Sequence, residues 1–74
     1  MTNYRFSVII EMDEDGYFAK CNELQGCYTQ GDTYEEVVEN IKDAISLHVE
    51  DRLEANEEIP QPKTISLTLM DVAI

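Results

Sequence analysis

The 74-residue sequence carries sixteen acidic and five basic side chains, a formal net charge of −11, with two cysteines and no tryptophan. A chain this short makes one domain over residues 1–74 and buries only about 60% of its unfolded surface, so self-association, as a homodimer or tetramer, is the expected staple. The charge argues against binding phosphate backbones or anionic membranes, and no apolar run reaches the ~18–20 residues of a membrane span, so the expected location is cytoplasmic.

Residues 4–11 alternate, with Tyr4, Phe6, Val8 and Ile10 on one face and Arg5, Ser7 and Glu11 on the other. This period of two predicts a half-buried strand, on which Ile9 is an apolar side chain on the nominally polar face. Asp13, Glu14, Asp15 and Gly16 read as a hairpin turn, the glycine supplying a positive φ. Residues 17–21 resume the extended pattern. A second turn at 22–26 leads to a short strand at 27–30, ended by Gly31. These three strands form an antiparallel meander.

Thr33 followed by Glu36 fits a capping box, and Asp32, Glu35 and Glu36 suit the positive end of a helix dipole. Val37, Val38, Ile41, Ala44, Ile45, His48, Val49 and Leu53 then recur at helical spacing to about residue 55. Such a helix is about 33 Å long and a seven-residue strand about 23 Å, so its C-terminal part is expected to overhang the sheet. Pro60 and Pro62 make residues 59–62 an extended connector. Residues 64–70 alternate again, with Ile65, Leu67 and Leu69 inward and Thr64, Ser66 and Thr68 outward. The expected fold is α+β, in the order β-β-β-α-β. The last strand lies parallel to strand 1 after a right-handed crossover, and the helix packs on one face.

Several motifs have plain structural readings. Glu11, Asp13 and Asp15 fall at the first three positions of a calcium loop keyed on Gly16, but the closing glutamate position is Asn22. Cys21 and Cys27 read as small core hydrophobes, since a closed zinc site wants four ligands and only His48 adds to the pair. His48 sits on the apolar stripe and reads as a core-edge or interface residue. No catalytic, metal or cofactor residue is assigned. The open sheet face holds Ile9 and, depending on register, Tyr17 or Phe18, with Tyr28 and Met70. Ile9, Phe18, Tyr28 and Met70 are the candidate self-association residues.

The run Tyr4-x-Phe6-x-Val8-x-Ile10, Asp13-Glu14-Asp15-Gly16-Tyr17-x-Ala19-x-Cys21, then Glu23-Leu24-x-Gly26-Cys27-x-Thr29-Gln30-Gly31-x-Thr33-x-Glu35-Glu36 resembles the HicB-like antitoxins. Asn40-Ile41, Ala44-Ile45 and Ile59-Pro60-x-Pro62 extend the resemblance over residues 4–70. It implies a partial ribonuclease H-like fold without catalytic residues. The implied partner is a HicA-type toxin, a small basic ribonuclease that cleaves mRNA with a histidine. An acidic protein covering a basic RNA-binding surface occupies the field that phosphates would fill. By charge and position, the candidate toxin-binding residues are Asp13, Glu14 and Asp15 in the hairpin and Glu35, Glu36 and Glu39 on the helix. Many family members carry a C-terminal DNA-binding segment. This sequence stops four residues past the last strand, so direct DNA binding is not expected. The competing readings are an oligomeric interaction module with an unrelated partner, and a metal-dependent nuclease using Glu11 and the helix acids.

Overall fold

The computed structural model describes residues 3–74. Its elements in chain order are β1 (Val8–Asp13), β2 (Gly16–Cys21), β3 (Tyr28–Gly31) and α1 (Tyr34–Glu54). The strands form one antiparallel sheet in the order β1-β2-β3, which is the meander expected from the alternation. Pairing of Val8 with Cys21 and of Asp13 with Gly16 sets the register of the first hairpin. Lys20 opposite Tyr28 sets the register of the second.

The first hairpin closes on two residues. Glu14 and Asp15 keep negative φ, the Asp15 N–H donates to Asp13 Oδ1 at 2.8 Å, and Gly16 takes φ +130°. An Asx turn followed by a positive-φ glycine turns the chain with little strain. A Cβ on Gly16 would also stand 2.8 Å from the Gly31 carbonyl oxygen of β3. Gly31 is constrained differently, by crowding. A Cβ there would lie 2.8 Å from the Val37 nitrogen, so the absent side chain lets the first turn of α1 sit on the end of β3.

Thr33 caps α1, its hydroxyl accepting the Glu36 N–H at 3.1 Å. No reciprocal bond runs back from Glu36 among the described residues, so only half of the expected capping box forms. The helix ends at Glu54, with Asn56 in the left-handed region at φ 57° and its N–H donating to the Leu53 carbonyl. Asparagine tolerates that conformation better than most residues, and this stops the helix.

The helix packs across β2 and β3. Val37 and Ile41 are buried against Ala19, Cys21, Leu24 and Cys27, while Phe6, Val8, Ile10, Tyr17, Ala44, Ile45 and Val49 surround that cluster half-buried. Leu53, the last residue of the apolar stripe, remains exposed, while Val49 still packs against the core. The Asn40 amide donates to the Gln30 carbonyl at 2.9 Å, a polar tie between helix and β3.

Two expectations are corrected. Strand 1 enters the ladder at Val8 rather than at residue 4, because β2 ends at Cys21 and the chain turns away at 22–26. The fourth strand does not form within the single chain: residues 64–70 join no ladder. Gln61 Oε1 accepts the Arg5 N–H at 2.9 Å, which fastens the connector beside the start of β1. Beyond it the apolar side chains are largely exposed, Ile65 by 50%, Leu67 by 64% and Leu69 by 93%. Alternation reports a tendency to extend, and it does not say which edge the segment will pair with.

Candidate functional site

The hairpin tip and the start of the helix come together. Gly16 pairs with Asp13 at one end of the sheet, and Gly31 lets α1 approach that same end. Between them lies a cleft of about 650 Å³ whose lining includes Glu11, Asp13, Asp15, Asp32 and Glu36. No lysine or arginine lines it. Its floor includes Tyr17, which meets Tyr34 edge-on at 6.2 Å and 88°. Five carboxylates around one concavity concentrate negative potential, because a low-dielectric wall focuses the field outward.

Of the sequence candidates, Asp13, Asp15 and Glu36 line this cleft. Glu14, Glu35 and Glu39 are exposed outside it, on the hairpin tip and the first turns of α1. Glu11 and Asp32 complete the lining and were not among the toxin-binding candidates. Glu11 is on the open-face parity of β1, and only the hairpin register shows that it faces the same concavity. Among the described residues, no three of His, Cys, Asp and Glu converge as ligands for a metal ion.

The register places Phe18 on the open sheet face and turns Tyr17 toward the helix. Phe18 and Tyr28 stack there at 5.8 Å, diagonal neighbours that are 41% and 62% exposed. Ile9, opposite Lys20, shares that face. Met70 lies in the C-terminal segment that joins no ladder, and it is exposed.

A second polar cluster escaped the sequence reading. The Glu23 carboxylate accepts the Ser7 N–H at 2.7 Å and the Ser7 hydroxyl at 2.6 Å, while the Asn22 amide donates to Ser7 Oγ at 3.2 Å. Burial alone would raise the Glu23 pKa, but the two Ser7 donors outweigh it and hold the carboxyl below its ordinary value. This pins the chain entering β1 to the turn after β2. The neighbouring Leu24 is only 1% exposed, a core residue on a loop. The turn-like composition of residues 22–26 hid both. Cys21 and Cys27 are buried free thiols, as expected of small core residues, and burial pushes both pKa values up.

An acidic cleft built from a hairpin and a helix start, on a three-stranded sheet with one helix, defines a small α+β protein with one concentrated acidic surface. Residues 6–72 match the family described as HicB_like antitoxin of bacterial toxin-antitoxin system. A UPF0150 protein of Thermoplasma acidophilum is 41% identical over 66 residues, covering 88% of this chain and 96% of the relative. A UPF0150 protein of Synechocystis is 40% identical over 63 residues, 84% of this chain and 80% of its own. Antitoxin HicB 1 of Photorhabdus laumondii is 37% identical over 73 residues, covering 97% of this chain but 47% of that antitoxin. The chain belongs to the HicB-like antitoxin family. No helix among the described residues is long and apolar enough to cross a membrane.

Proposed function

We propose that the protein neutralises a small basic ribonuclease of HicA type, setting its acidic cleft and the adjoining first turns of α1 against the toxin's RNA-binding surface. The observation that carries this reading is the cleft itself, five carboxylates with no lining cation, in a member of an antitoxin family. Asp13, Asp15 and Glu36 form the centre of the contact, with Glu11 and Asp32 beside them. Glu14, Glu35 and Glu39 form its rim, where charge acts mainly by steering the encounter. The protein itself is not an enzyme in this reading; it acts by occupying a surface. Two free thiols fit a reducing cytoplasm, where an mRNA-cleaving toxin would act. The ribonuclease H-like layout belongs to the same reading, and it requires residues 64–70 to be taken up as a strand.

The charge-reversed variant D13K/D15K tests this by titration against a HicA-type toxin. The expected result is affinity weakened at least ~100-fold, the scale for losing close charge pairs across an interface, with the helical circular dichroism unchanged. Wild-type affinity in that variant would overturn the assignment of the cleft.

A further inference from the structure

We propose that residues 64–70 pair as a β-strand along the free edge of β1 in a second copy of this chain, and reciprocally, so that two copies exchange strands. Four observations converge on that occupant.

The segment is Thr-Ile-Ser-Leu-Thr-Leu-Met, seven residues with no charge and no proline, alternating from Thr64 to Leu69, in a chain of net charge −11. It joins no ladder, and its apolar side chains are half to almost fully exposed. An uncharged extended strand left in water is an aggregation hazard unless something pairs with it.

β1 supplies the complementary defect, since it is the sheet's outer strand with β2 on one side only. The Asn22 N–H bonds to the Ser7 carbonyl, and Asp13 pairs with Gly16 across the two-residue turn. By antiparallel alternation, Val8, Ile10 and Met12 therefore turn their N–H and C=O groups to the open edge. Six residues of β1 span about 20 Å and seven of the segment about 23 Å. Each copy thus has one free edge and one free strand of matching length, and a two-fold arrangement satisfies both at once.

The third observation is where the connector leads. A cavity of about 240 Å³ lined by Arg5, Phe6, Ser7, Pro62, Lys63 and Ile65 brings it beside the residues that lead into β1, and beyond Ile65 the segment stays exposed and joins no strand of its own sheet. The Cα radius of gyration is 14.3 Å, against about 11 Å for a compact chain of this length.

The last observation is area. The accessible surface is 6348 Å², whereas a compact 8.5 kDa protein exposes about 4,650 Å². The excess is roughly 1,700 Å² per chain. Covering half of it on each of two copies puts about 1,700 Å² into one interface, the size of a stable protein–protein contact.

The test combines sedimentation with amide hydrogen exchange on the full chain, in wild type and in L67P, which removes a ladder donor outside the core. Wild type is expected to sediment at twice the 8.5 kDa chain mass, with residues 64–70 and alternate residues of β1 protected roughly 100-fold or more. L67P is expected to sediment as a monomer, losing that protection while keeping its helix signal. A wild-type monomer with residues 64–70 protected would mean pairing within one chain and would overturn the proposal. So would a dimer that survives L67P with the segment unprotected, which would place the contact on the Phe18–Tyr28 face. Neither measurement involves a toxin, so the outcome is independent of the antitoxin reading.

Discussion

Glu23 illustrates how one side chain joins parts of the chain distant in sequence. It accepts two hydrogen bonds from Ser7 and thereby holds the start of β1 against the loop that carries buried Leu24. Replacement by glutamine is expected to cost about 1–2 kcal/mol in chemical denaturation, the low side for charge-assisted bonds because the site is partly solvated. A lowered folded-state pKa means that the stabilisation is complete above the unfolded-state value and lost as pH falls through the folded one. The stability gap between wild type and E23Q should therefore be full at neutral pH and narrow in the acid range just below the usual carboxylate pKa. A gap independent of pH would contradict this account of Glu23. Leu24 itself should behave as core: L24A is expected to lose about 2–4 kcal/mol, a large share of a small domain's stability, read as a lower denaturation midpoint. The thiols give a separate check. Cys21 and Cys27 are expected to react with a soluble maleimide only slowly in the native protein and fully after denaturation, since both are buried and held as neutral thiols.

Among the elements, those with strong periodicity were legible before any coordinates. The alternation of Val8 and Ile10, the turn at Asp13–Gly16 and the stripe from Val37 to Val49 gave the meander and the helix, because hydrophobic period and turn chemistry are local properties. Thr33 marked the helix start for the same reason. Three things lay beyond that horizon. Loop residues 22–26 concealed a core leucine, since burial there depends on a neighbouring helix rather than on spacing. Glu11 and Asp32 joined the acidic cleft only through the register of the first hairpin and the close approach at Gly31. The alternation of residues 64–70 predicts a strand, but no strand forms there, because a local pattern does not say which edge a segment will pair with. Gly31 also yields a prediction at this scale. In G31A the new methyl would press on the Val37 backbone, whose buried helix cannot shift freely, so a loss of about 1–3 kcal/mol is expected in thermal or denaturant unfolding.

For the molecule as a whole, charge and exposed apolar surface are unevenly spread. The acids gather at the end where hairpin and helix start meet, while the uncharged segment follows the connector that lies beside the residues leading into β1. β1 enters both proposals, since Glu11, Met12 and Asp13 line the acidic cleft while the open edge offered to a second copy also reaches Met12. The proposed function rests on electrostatic recognition by the acidic cleft of a HicB-like family member. Such recognition shows itself in rates, because long-range attraction speeds encounter and is screened by salt. The most direct measurement is therefore the association rate of the full chain with a HicA-type toxin as ionic strength rises. A fall of roughly tenfold or more between low and physiological salt, largely abolished in D13K/D15K, is the predicted result. An association rate indifferent to salt, or a slope unchanged by the two reversals, would contradict recognition through the acidic cleft.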